Sequence, residues 1–294
     1  MISASIVTFH TRHSDLIRLI DCVMKSPVDK LFIIDNSSND ELRELVKDNK
    51  RIRYIHSLNL GYGSGHNIAI KNALEEGADY HAILNPDIYW QDNVIEELST
   101  YMNSHHECGL TMPRVLYPNG EMQYLCKLLP TPIDLILRRF IPIKSWQNRH
   151  DYWYEMHWTG YDKIMEIPIL SGCFMLLRCD TVKKTGGFDQ RFFMYAEDVD
   201  LCRRIGKVSS TIYYPGVSIF HEYAKGSYGN KKMLKMHISS IIKYFNKWGW
   251  FFDSYRNSRN RYCIAKIKNE VTSTAPSAGS STTTTSDHPG DIPD

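Results

Sequence analysis

Three acids in four residues, Glu197, Asp198 and Asp200, follow a run of aromatics, Phe192, Phe193 and Tyr195, where a helix is expected to start. Acids favour helix N-termini through capping and the helix dipole, which accounts for one of them, Asp200. Aromatic rings that partly desolvate a carboxylate raise its proton affinity, as a general base requires. Glu197 and Asp198 are the candidates for that work.

A second polar set is expected along one edge of a sheet. Thr8 lies near the end of the strand SIVTFH, Asp35 follows the apolar run KLFII, and Asp87 closes HAILNPD. Between a strand and a helix lies NLGYGSGHN (59–67), where Gly61, Gly63 and Gly65 let the backbone approach a ligand. The following helix start offers N–H groups to a phosphate. The spacing G-x-G-x-G is neither the dinucleotide fingerprint nor a P-loop. Taken singly, an aspartate at a strand end is a cap or turn former. Together, these positions make the set a sugar nucleotide needs: a polar group for the base, a pocket for the ribose, and a carboxylate holding Mg2+ or Mn2+ against the diphosphate. His221, flanked by Glu222, Lys225 and Ser227, could complete a metal shell, or Lys225 could meet a phosphate.

The elements that must position these residues alternate. Strands are expected at 5–10, 30–38, 52–56 and 80–84, with helices at 15–24, 40–48 and 68–76 between them. That alternation argues for an α/β fold with a parallel sheet covered by helices, whose ligands sit at the C-terminal strand ends. From 105 to 165, five prolines break the pattern, and either a mobile flap or an ordinary packed helix fits 128–146. A strand at 171–178, a turn at 186–189, the acid-led helix and strands at 211–214 and 217–220 follow.

The chain has 294 residues, 43% hydrophobic and 23% charged, with a net charge of +2, which excludes a wholly disordered chain. Seven cysteines without a CxxC pair read as reduced, buried thiols. No apolar run reaches the ~18 residues of a membrane span. The start, MISASIVTFH, reads as a strand and not a signal peptide. The expected compartment is therefore the cytoplasm.

Read in order, IVTFH, IIDNSS, NLGYGSGHN, ILNPDI, SGCFMLLR, GGFDQRFFMYAEDVDLCRR and FHEYAKGSY make a set that resembles the family-two inverting glycosyltransferases of GT-A fold. Within them it is similar to the bacterial rhamnosyltransferase-like enzymes of surface-polysaccharide assembly. The likeness covers about 2–228. It implies a GT-A-type, Rossmann-like, mostly parallel sheet flanked by helices. It places Thr8 and Asp35 at the nucleotide, with Asp35 near the base, and Asn59, Gly61 and Asn67 along the nucleotide loop. Asn85-Pro86-Asp87 stands where the family has its metal-binding DxD. Asn85 replaces the first acid and falls to the nucleotide side, leaving Asp87 to hold Mg2+ or Mn2+, with His221 as second ligand. Asp198 matches the catalytic base. Arg204, Lys225 and Ser227 are expected on the diphosphate or acceptor side. The implied reaction moves L-rhamnose from dTDP-rhamnose, or a hexose from a UDP-sugar, to a polyprenyl-diphosphate-linked glycan of O-antigen or capsule. Asp198 would take the acceptor hydroxyl's proton and the anomeric centre would invert, with the metal neutralising charge on the leaving diphosphate.

The catalytic domain is expected over 1–228, a basic aromatic helical region over 229–271 and a disordered tail over 272–294. Residues 225–268 hold 11 Lys plus Arg and one acid, against −8 for the remainder. Leu234, Ile238, Ile241, Ile242, Phe245 and Trp248 share one face of a helix at 231–248. Either this helix docks on the sheet, or it meets an anionic membrane surface on the cytosolic face of the inner membrane. No nucleic-acid module accompanies the charge. Two other classes compete: a nucleotide-dependent oxidoreductase on a doubly wound fold, and an inactive sugar-nucleotide or membrane-binding module.

Overall fold

A computed structural model describes residues 1–137, 141, 143–222 and 231–273. Lys225, Ser227 and residues 274–294 lie outside the described residues, so the expectations placed on them are not addressed by the structure.

Among the described residues nine strands form one sheet in the order β3-β2-β1-β4-β8-β6-β9-β5, with β7 pairing β9. Strands β1 (Ile2–Thr8), β2 (Lys30–Asp35), β3 (Ile52–His56) and β4 (Tyr80–Leu84) pair in parallel. They are joined by α1 (His13–Lys25), α2 (Leu42–Val46) and α3 (Tyr62–Glu75). The inner strands are buried along nearly their whole length because helices cover both faces. α1 buries Leu16, Leu19 and Val23, a spacing that keeps one stripe on the core.

Beyond β4 the sheet becomes mixed. β8 (Phe174–Arg178) runs antiparallel to β4, β6 (Cys108–Leu116) antiparallel to β8, and β9 (Ser210–His221) parallel to β6. The reversal at β8 brings its start to the edge where β4 ends, with Phe174 opposite Leu84. α4 (Val94–Ser104) precedes β6, which begins the stretch where prolines break the sequence pattern. Pro113 lies inside β6 at an irregularity in the ladder, where a missing N–H is tolerated. There Tyr214 pairs with Pro113 and Ser218 with Arg114, so residues 215–217 bulge from β9. The end of β9 then pairs with two-residue β5 (Ile88–Tyr89), setting Ile88 opposite His221.

Between β6 and β7 (Met165–Glu166) lie a π-helical turn (Ile133–Leu137) and α5 (Lys144–Tyr154). Downstream come α6 (Cys179–Thr185), α7 (Glu197–Ile205), α8 (Lys231–Trp248) and α9 (Ser254–Ser273). The two basic helices are built into the molecule. α8 buries Ile241, Tyr244 and Phe245 in a cluster with Phe192 and Ala196. Burying a phenylalanine contributes about 1.5–3 kcal/mol. Arg203 of α7 makes a two-pronged ion pair with Asp253 at 2.6 and 2.7 Å, both side chains buried. Glu166 binds Arg259 and Lys266 of α9 at 2.6 and 2.8 Å. Part of the excess positive charge therefore neutralises acids of the body. All seven cysteines are free, and six are buried.

Candidate active site

Tyr195 and Ala196 both adopt left-handed backbone angles, φ 69° and 63°. For non-glycine residues this costs roughly 1–2 kcal/mol each. It turns the chain sharply from the aromatic run into α7, so the acids begin the helix. Asp198 Oδ1 accepts from the Val199 N–H at 2.8 Å, and Oδ2 from the Gly172 N–H at 3.1 Å. A side chain at 172 would put its first carbon 3.3 Å from that of Asp198, so glycine permits the approach. Tyr62 donates its hydroxyl to the Gly172 carbonyl at 2.7 Å.

The neighbouring acids have other fates. Glu197 is only 6% exposed, and its Oε2 has no hydrogen-bond partner among the described residues. Burial, reinforced by the charge of Asp198, pushes its carboxyl up to about 8. It therefore keeps its proton at neutral pH. Asp200 is fully buried and accepts from Arg204 at 2.7 Å, Lys247 at 2.6 Å and the Trp248 indole at 2.8 Å. It ties α7 to α8, a stronger structural role than helix capping.

Asp87 and His221, far apart in sequence, meet through the β5–β9 pairing, with His221 Nε2 3.4 Å from Asp87 Oδ1. That oxygen is buried and has no hydrogen bond among the described residues. Gln123 donates its amide to the carbonyls of Leu116 and His221 at 3.2 and 2.8 Å, which leaves Oε1 facing His221 Nδ1 at 3.0 Å. An oxygen there requires a proton on Nδ1. In the neutral ring, Nε2 then turns its lone pair towards Asp87, the orientation a metal-ligating histidine takes. This oxygen–nitrogen pair fits a divalent cation. Among the described residues no three His, Cys, Asp or Glu side chains gather at one point. Phosphate oxygens would therefore supply much of such a shell, as is usual for Mg2+.

Thr8 and Asp35 sit opposite each other at the ends of β1 and β2. Asp35 is fully buried and accepts from the Thr8 hydroxyl at 3.0 Å, the Ser37 N–H at 3.0 Å and the Tyr54 hydroxyl at 2.7 Å. Burial alone would raise its carboxyl, but the donors of Ser37, Tyr54 and Thr8 prevail and hold it below the usual range. Asn85, at the end of β4, donates its backbone N–H to the Cys173 carbonyl at 2.9 Å.

The glycine run corrects the expected loop. α3 begins at Tyr62, six residues before the expected start, so Gly63 and Gly65 are helical. They are small because Phe188 and Val7 press on them, within 2.7 and 2.8 Å of where a side chain would begin. Only Gly61 needs glycine's freedom: its φ is 102°, and the Phe193 carbonyl fills the space of a side chain. Asn59 accepts from the Gly61 N–H at 3.2 Å and is exposed. Asn67 does not line a nucleotide loop with its amide. Both ends are spent on the Phe188 backbone, at 2.8 Å each. Arg204 likewise spends its donors on Asp200 and on the carbonyls of Thr185, Gly186 and Gly187, bracing that turn.

The pieces share one edge. The start of β8 lies between the end of β4 and α7, held by Asn85 on one side and Asp198 on the other. Burial raises the Cys173 thiol to about 12, and the charges of Asp87 and Asp198 both add to it. Burial also raises the Tyr62 phenol, with Glu197, Asp198 and Asp87 contributing. Both carboxylates thus act on the same two groups. Sequence reasoning passed over Tyr62, Gly172, Tyr54 and Gln123. Tyr62 stood inside the glycine run and Gly172 inside SGC, whereas Gln123 carried no local signal.

Residues 5–186 match the family model for glycosyl transferase family 2. The N-acetylglucosaminyl-diphospho-decaprenol L-rhamnosyltransferase of Mycobacterium tuberculosis is 28% identical over 218 residues, covering 67% of each chain. Rhamnosyltransferase WbbL of Escherichia coli is 25% identical over 224 residues, 73% of this chain and 81% of that one. GalNAc-T7, crystallised with UDP, GalNAc and Mn2+, superimposes with a TM-score of 0.62 at 16% identity. That superposition covers 94% of this chain and 58% of the GalNAc-T7 chain, a likeness of fold. The doubly wound oxidoreductase reading falls away with these matches. With its GT-A-like α/β sheet, this chain belongs to glycosyl transferase family 2 and is a glycosyltransferase of the rhamnosyltransferase-like kind.

Proposed function

We propose that this enzyme moves L-rhamnose from dTDP-rhamnose, or a hexose from a UDP-sugar, to a polyprenyl-diphosphate-linked glycan, with inversion. The acceptor in the name of the Mycobacterium tuberculosis relative supports the lipid-linked substrate, and the setting proposed is O-antigen or capsule synthesis. The observation carrying the reading is that the Gly172 N–H binds Asp198 while the next residue's carbonyl, that of Cys173, accepts from the backbone of Asn85, two residues before Asp87. Asp198, steadied by the N–H groups of Gly172 and Val199, takes the proton of the acceptor hydroxyl as that oxygen attacks the anomeric carbon. Glu197, pushed up to about 8 by its burial, is mostly protonated near neutral pH, which favours Asp198 as that base. Asp87 and His221 are the residues that would hold Mg2+ or Mn2+, which when bound offsets charge on the departing diphosphate. Thr8, Asp35 and Asn85 lie on the nucleotide side.

Membrane docking is the second part of the proposal. Phe251 and Phe252 are 75% and 97% exposed just after α8, and Ile238 and Ile242 are exposed along it beside Lys235 and Lys243. Exposed aromatics beside lysines suit an anionic interface. No helix among the described residues is long and apolar enough to cross a membrane. Vesicle flotation with Phe252→Ser tests this: wild-type protein should float with anionic vesicles and the variant should not. Equal behaviour ends the docking idea. For the reaction, a panel of sugar nucleotides with Mn2+ and a lipid-linked acceptor should release nucleoside diphosphate from one donor. Release from none of them overturns the reading.

A further inference from the structure

A cleft of about 480 Å3 opens between residues 128–134, α5 and α9, and none of Asp87, Asp198 and His221 lines it. Leu128, Leu129, Ile133, Trp146 and Trp153 make its walls apolar, and Arg149 adds a cation. The walls are fixed. Leu129 and Asn260 exchange hydrogen bonds at 2.8 and 2.9 Å, pinning one side to α9. On the other, His150 Nε2 meets Asp134 Oδ1 at 2.6 Å, and Trp146 stacks on the same imidazole. Ile133 and Trp153 stay 47% and 46% exposed. Exposed apolar surface in a preformed cleft marks a binding site and not a core.

The turn that lines the cleft also packs against the approach to the base helix. The π-helical turn that supplies Ile133 sends Leu135 and Ile136 into the cluster of Phe192 and Ala196, immediately before Glu197. A hydrocarbon with an anionic head suits a trough whose exposed lining is mainly apolar and which carries an arginine. We infer that this cleft holds the first isoprene units of the acceptor lipid, with Arg149 beside its diphosphate. The inference rests on the glycosyl-transfer reading only for the identity of that lipid.

The test is a titration of intrinsic tryptophan fluorescence with farnesyl diphosphate, a soluble short isoprenyl diphosphate. Trp146 and Trp153 report directly. Saturable quenching is expected, weakened about tenfold by Ile133→Glu, which puts a charge against the hydrocarbon, and severalfold by Arg149→Ala. Both positions are exposed, so the variants should fold, and unchanged UDP or dTDP affinity checks that they do. Equal competition by inorganic diphosphate, or wild-type binding in Ile133→Glu, overturns the assignment. If farnesyl diphosphate binds as described but no sugar nucleotide is turned over, the transferase reading fails and the cleft stands. Turnover with no effect of Ile133→Glu on farnesyl binding removes the cleft alone.

Discussion

At the end of β2, Asp35 is sealed from water yet holds a negative charge, because three protein donors point at its two oxygens. At the start of α7, Glu197 is almost as deeply covered but has an oxygen without a donor, and it stays neutral up to about 8. Burial acts alike on both. The hydrogen bonds decide the charge, and with it the use each corner of the cleft can serve. A fixed anion suits recognition of a nucleotide's polar edge. A neutral acid beside Asp198 leaves one carboxylate, not two, to receive a proton.

That contrast can be broken most severely at Asp198. Asp198→Asn keeps the shape and removes the base, so transfer should fall by about 10²–10⁴ with nucleoside diphosphate affinity nearly unchanged. Steady-state kinetics beside calorimetric titration would show this, and full activity would remove Asp198 from the mechanism. Next, Asp87→Ala should abolish the Mn2+-dependent part of nucleotide binding. Gln123→Ala, which frees the imidazole of its orienting partner, should weaken metal affinity by about 10–100-fold. Equal nucleotide affinity with and without metal in the wild type would argue against both.

Smaller effects sharpen the comparison itself. Asp35→Ala strands the donors of Thr8, Ser37 and Tyr54 and should destabilise the fold by about 1–3 kcal/mol in urea unfolding. The loss should appear near neutral pH and shrink in acid. A carboxyl held low in the folded state stabilises above its unfolded value of 3.8 and loses that contribution as pH falls. Glu197 has the opposite sign. Its raised value stabilises fully below 4.5 and fades as pH rises towards about 8. Glu197→Gln should therefore change little at pH 5 and flatten the decline between pH 5 and 8, seen as melting temperature across pH. A variant that declines like the wild type would mean the carboxyl is charged after all.

Much of this was legible in the chain. The parallel block β3-β2-β1-β4 follows from apolar runs of strand length separated by helical periodicity, and Asp35 and Asp87 could be placed at strand ends from those runs alone. The acid-led helix was visible at Glu197 because three acids after an aromatic run are unusual in any other context. What stayed hidden depended on long-range pairing. Pro113 disguised β6, since proline argues against a central strand and only the irregularity in the ladder accommodates it. The glycines at 63 and 65 looked like a loop, yet Phe188 and Val7, remote in sequence, are the reason they are small. Asn67 and Arg204 matched a motif by position, but only the folded turn at 185–188 shows where their hydrogen bonds go.

The bulge at 215–217 carries a consequence for the histidine that follows it. Three extra residues are an odd number, so side chains beyond them face the opposite side of the sheet from the one strict alternation would assign. The imidazole at 221 reaches Asp87 because of that phase inversion. Adding or deleting one residue there would swing the ring through the plane of the sheet while every residue of both partners remained in place, so loop length at 215–217 is as much a part of the cation corner as its two donor atoms.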